Sequence, residues 1–196
     1  MVIDSQARRS ASRWARVAAV VATLLVAATC DSDPSTPETT EPLPLRPGPR
    51  TVTSYTVPHV QHFVDPVPEV DAELRRRIFE LPDVERRESI TSITGTDGVW
   101  LSPTAPEPAA VLRDREFAHI HPDGSLHLVM PVDRAVEAIE AKWAEFHPWV
   151  GSENMWDGTV MLYTPQSAEE MAVTLQLVID SYNFVTDRAI SPADLG

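Results

Sequence analysis

The sequence predicts an α+β domain, a mainly antiparallel sheet with about three helices packed on one face. Three observations predict it. Segments with helical apolar spacing are interspersed irregularly with short β-like runs, and neighbouring runs are joined by turns rather than by helices. Each helical segment also has a single apolar face, which implies a shared sheet beneath.

The first helix lies between Pro68 and Pro82, where Val70, Leu74, Ile78 and Leu81 fall at helical spacing and Arg75, Arg76 and Arg77 point outward or snorkel. Strands are expected at residues 90–94, 99–101, 116–121, 126–130 and 159–164. A second helix opens near Pro131, suited to a first turn, and aligns Val132, Val136, Ile139, Trp143 and Phe146 before His147 and Pro148 end it. The third begins with Ser167 and Glu170 as a capping box and carries Met171, Leu175, Val178, Ile179 and Tyr182 on one stripe.

Between the third and fourth expected strands stands HIHPDGSLH, residues 119–127. Pro122 sets φ for a first turn position, Asp123 suits the second, and Gly124 takes the left-handed conformation that closes a three-residue loop. In that register His121 lies opposite Ser125 and His119 opposite His127, all on one face, while Ala118, Ile120, Leu126 and Leu128 take the other. A two-residue loop would instead turn His127 into the core, because a one-residue slip exchanges strand faces. The apolar pattern favours the odd loop. Three imidazoles then cluster with a hydroxyl, able to exchange protons near neutral pH or to bind a divalent metal when neutral. By simple alternation Glu116 falls on the apolar face, which makes it a poor fourth ligand.

The chain begins with Arg8, Arg9, Arg13 and Arg16, followed by a run of about a dozen small apolar residues ending at Thr29, too short to span a bilayer. Residues 1–29 read as an export signal. Leu25 to Thr29 lead into Cys30, the only cysteine, and resemble a bacterial lipobox. That resemblance implies cleavage before Cys30 and diacylation of its thiol, which anchors the protein stably to a membrane. Unlipidated secretion is the alternative. With no second cysteine there is no disulfide or thiolate chemistry in the domain. The signal carries four Arg and one Asp, so removing its +3 from the chain's −13 leaves −16 on the mature protein. Such a charge opposes nucleic-acid binding, and membrane contact is expected through the lipid alone. Residues 30–50, rich in Pro, Ser, Thr and Glu, read as a disordered tether, with one domain over 51–196.

The stretch REFAHIHPDGSLHLVMP, residues 115–131, together with KWAEFHP at 142–148 and VMLYTP at 160–165, resembles the fungal luciferase domain family. In that family the fungal members oxidise a hydroxylated pyrone with molecular oxygen without metal or flavin. The resemblance implies a fold that holds a small, electron-rich molecule and helps deprotonate it, with no cofactor. It points to His119, His121 and His127 as catalytic residues and to Ser125, Trp143, His147 and Tyr163 around the substrate. Gln166 stands where such proteins often carry a basic residue. The bottom-up reading agrees on the histidines: one of His119 and His127 acts as general base and another ring stabilises an oxyanion. Trp143 also fits a core role and His147 a helix-end role. A non-catalytic ligand-binding or scaffold lipoprotein, and a metal-binding domain using the same imidazoles, are the competing readings.

Overall fold

A computed structural model describes residues 42–196. The expected signal segment, Cys30 and most of the expected tether lie outside the described residues. The elements run α1 (Pro68–Ile78), β1 (Val84–Glu88), β2 (Asp97–Leu101), β3 (Glu116–Ile120), β4 (Leu126–Val129), α2 (Val132–Glu140), β5 (Ala144–Phe146), β6 (Thr159–Leu162) and α3 (Ala168–Thr186). The strands form one sheet in the order β1-β2-β3-β4-β6-β5, antiparallel throughout. The expected α+β class is the observed one. Among the described residues no helix is long and apolar enough to cross a membrane.

α3 covers the centre of the sheet because its predominantly apolar stripe of Leu175, Val178, Ile179 and Tyr182 meets Ala118, Ile120, Leu126 and Leu128 in one buried cluster. Ser167 caps it, accepting from the Glu170 amide at 3.2 Å. α1 buries Val70, Leu74 and Ile78 as its spacing predicts and packs beside α3. The other face of the sheet carries a row of side chains set by register: His119 pairs with His127, His127 with Met161, and Met161 with Glu145.

Four sequence expectations are corrected. Residues 90–94 are not a strand but the loop joining β1 to β2, turned at Gly95, and the missed strand β1 is VERRE, a charged edge with its last three residues exposed. α2 ends at Glu140, where Lys142 adopts a left-handed φ of 67° and feeds β5, so Trp143 and Phe146 belong to no helix. Its buried face is Arg134, Ala135 and Ala138, with Val132 and Val136 partly exposed. Two alanines allow close approach to the sheet, and Arg134 is drawn inward by Asp180 at 2.8 Å and Glu137 at 2.5 Å. The folded unit also starts before Thr51: the Leu43 amide donates to Glu137 at 2.9 Å, the Arg46 amide to Ala141 O at 2.9 Å, and buried Arg46 pairs with Glu170 at 2.9 Å. Those bonds hold the last part of the expected tether against the domain.

The fourth correction concerns parity in β3. Val99 pairs with Ala118 but Trp100 pairs with Glu116, so β3 contains one extra residue, a β-bulge at Phe117. Ala118 and Ile120 keep their core positions, and the bulge sends Phe117 into the core as well, where its ring lies 6.2 Å from that of Tyr182. Glu116 is thereby turned to the histidine face, contrary to simple alternation.

Candidate functional site

The hairpin has the three-residue loop that its residues predict. The His121 amide donates to Ser125 O at 2.8 Å, the Gly124 amide to His121 O at 3.0 Å, and Gly124 takes φ 80°. His119, His121, Ser125 and His127 consequently share one face, buried beneath surrounding loops. Two further imidazoles join them. His147 follows β5, with its ring centroid 4.9 Å from that of His127. His59 arrives from a segment pinned to the sheet through the Gln61 amide, which donates to Asp123 at 3.2 Å. Five of the chain's six histidines therefore converge, and all five are buried.

Their nitrogens form a chain with a carboxylate at each end. Glu116 Oε1 is 3.0 Å from His119 Nδ1, His119 Nε2 is 3.0 Å from His127 Nδ1, His127 Nε2 is 2.9 Å from His59 Nδ1, and His59 Nε2 is 2.7 Å from Glu145 Oε1. Tyr163 donates to the other oxygen of Glu145 at 3.0 Å, and Ser89 and Thr91 donate to Glu116 at 2.5 and 3.2 Å. His121 lies beside the chain, its Nδ1 2.8 Å from Ser125 Oγ, while Ser125 donates to Asp123 at 2.7 Å.

Electrostatics follow from burial. Burial raises the Glu116 carboxyl, but hydrogen bonds from His119 and Ser89 outweigh it and hold the group below its ordinary value. Glu145 behaves alike, with burial opposed by His59, Thr53 and Tyr163. His121 is lowered to about 3 by burial and then by repulsion from His119, His59 and His147. Burial likewise lowers His147 to about 4 and His127 well below its ordinary value. The site thus presents neutral His121, His127 and His147 rings near ionised carboxylates. Burial and the Glu145 charge push the Tyr163 phenol up to about 12.

A cavity of about 740 Å³ opens against this wall, a volume suited to a small organic molecule. His59, His119, His121, His127 and His147 line it, with Trp149 and Ile93 among the apolar contributors. Of the residues assigned to substrate from sequence, only His147 lines this cavity. Ser125 is fully buried behind His121, where it holds Nδ1. Trp143 and Tyr163 lie further along the sheet and are covered by the Arg46 guanidinium, 5.8 and 5.5 Å from their ring centroids, and the Trp143 indole donates to Pro44 O at 2.6 Å. The segment held down by Arg46 is what removes them from the cavity.

Sequence reasoning missed His59, Glu116, Glu145 and Trp149. His59 sits in a stretch with neither helical nor strand period, so no local signal placed it near the hairpin. Glu145 was legible only once residues 144–146 were recognised as a strand. One nitrogen from each of His119, His121 and His127 lies within 4.8 Å of the others, and the same holds for His59, His127 and His147, so either triad has the spacing to hold a metal ion.

Residues 114–181 match the family model described as Luciferase domain, a segment that includes four of the five clustered histidines. No curated protein and no solved structure matches the chain.

Proposed function

We propose, from the match of residues 114–181 to the Luciferase domain model, that the protein is an exported, lipid-anchored enzyme of oxygenase type acting on a small, electron-rich organic molecule. The observation that carries this reading is the convergence of five buried imidazoles on one wall of a cavity of ligand size. Histidines that serve only packing have no reason to gather from separate parts of the chain around empty volume.

In this reading a flat substrate enters beside Trp149 and Ile93. The histidine wall promotes loss of its acidic proton and stabilises the oxyanion that results, and molecular oxygen then oxidises the anion. His147 suits the stabilising part. Its Nδ1 accepts the Trp149 amide at 3.2 Å, so the neutral ring carries its hydrogen on Nε2 and is a donor.

An aerobic screen of hydroxylated pyrones and related planar enols, read by oxygen uptake, tests the proposal. At least one compound class is expected to drive uptake, with His119→Ala reducing the rate by about 10²–10⁴ and His147→Ala by about 10² or more. Binding in the cavity without oxygen uptake would replace the enzyme with the ligand-binding reading, and neither binding nor uptake would remove both.

The envelope location rests on the basic and apolar signal residues and on Cys30. Cys30→Ser is expected to move the protein from the membrane pellet to the soluble extracytoplasmic fraction. Unchanged fractionation would end the lipid-anchor assignment.

A further inference from the structure

The hydrogen bonds around His127 contain one contact too many for neutral rings. A carboxylate only accepts, so the hydrogen of His119 is on Nδ1, toward Glu116, and its Nε2 bears a lone pair. His59 donates Nε2–H to Glu145, which leaves its Nδ1 bare. Because Ser125 spends its hydrogen on Asp123, its oxygen accepts from His121 Nδ1, and His121 Nε2 is bare as well. His127 stands between two of these lone pairs, His119 Nε2 at 3.0 Å from its Nδ1 and His59 Nδ1 at 2.9 Å from its Nε2. A neutral imidazole has one hydrogen for the two. Whichever way it is placed, the other contact brings lone pair against lone pair at hydrogen-bond distance.

A cation at that contact removes the conflict. An added proton would rest on His119 beside Glu116 or on His59 beside Glu145, and would leave the bare Nε2 of His121 unused. A metal ion uses the geometry better. With the His127 hydrogen on Nε2, donating to His59, His127 Nδ1 joins His119 Nε2 and His121 Nε2 as a third free donor. Metal–imidazole bonds of about 2.0–2.1 Å place neighbouring ligand nitrogens about 2.9–3.4 Å apart, and the His119–His127 pair is at 3.0 Å.

We propose that His119, His121 and His127 bind a divalent first-row transition metal ion through Nε2, Nε2 and Nδ1. Each ligand then has the outer partner that such sites require: Glu116 orients His119, the Asp123–Ser125 pair orients His121, and the Glu145–His59 pair orients His127. The alternative triad with His59 and His147 is disfavoured, since the Trp149 amide occupies His147 Nδ1 and leaves only a protonated Nε2. The remaining coordination positions face the cavity, where the ion can bind a substrate oxyanion as a Lewis acid; this catalytic use rests on the function proposed above, whereas metal binding stands without it.

The test is metal analysis of the full chain, purified without a histidine tag, followed by chelation and titration with Co²⁺ and Zn²⁺. About one equivalent of tightly held metal is expected, with visible Co²⁺ absorption bands. His121→Ala should abolish stoichiometric uptake, and the milder Glu116→Gln, which keeps the side-chain volume, should weaken affinity about 10–100-fold. His147→Ala should retain the metal. Protein that takes up neither ion after chelation, or uptake indifferent to His121→Ala and Glu116→Gln, overturns the site. Oxygen uptake by protein that takes up neither ion would leave the enzyme proposal standing and this inference fallen. Metal bound without any turnover or ligand binding would support the site while removing the enzyme.

Discussion

Truncating Phe117 to alanine is expected to lower the free energy of unfolding by about 3–5 kcal/mol, the range for removing a fully buried aromatic ring. Phe117 is 0% exposed and packs on Tyr182 beneath α3. On simple alternation this residue would occupy the histidine face, where its loss would enlarge the cavity and leave the core intact. The bulge makes the opposite prediction. In a protein of this size the loss corresponds to a fall in Tm of roughly 10 °C, readable by calorimetry. A shift of only a degree or two would mean that Phe117 is not part of the core and that the parity change in β3 is wrong.

Acidification should be comparably costly, and the sign can be worked out group by group. His121, His147 and His127 all have folded-state values below the ordinary 6.5, the first two at about 3 and about 4. Below pH 6.5 the unfolded chain binds protons at these positions and the folded one does not, so stability falls as pH falls through that window. Each unit of separation is worth about 1.4 kcal/mol per group. At pH 5 His121 and His147 together therefore cost about 4 kcal/mol, a large part of an ordinary domain's stability, and His127 adds a loss in the same direction. Glu116 and Glu145, both lowered by their partners, add a further loss in the same direction below pH 4.5. Denaturant unfolding of chelator-treated protein between pH 8 and 4 measures this. A curve that stays level from pH 7 to 5 would contradict the burial of neutral imidazoles.

The hairpin was legible in the sequence because its two signals, turn residues and strand alternation, are both local and agree on a loop of odd length. That agreement placed His119, His121 and His127 together without coordinates. The helices α1 and α3 were legible for the same reason, each with a clear stripe and a capping or proline signal. α2 misled because its apolar stripe at Val132, Val136 and Ile139 competes with an arginine whose partner, Asp180, is remote in sequence. The bulge at Phe117 depends on pairing between strands, which no single strand encodes. β1 carries four charged residues out of five and looks like a loop until a partner strand is supplied. His59 and Glu145 reach the site only through tertiary placement.

The two rims of the sheet have a consequence for how the protein behaves when crowded. At one rim β1 displays Glu85, Arg86, Arg87 and Glu88, with the two arginines also engaged over Phe79 and Trp100. At the other, β5 is three residues long. An approaching strand from a neighbouring copy would find charge to desolvate at the first rim and almost no ladder to extend at the second. Sheet-to-sheet polymerisation is thereby discouraged at both ends.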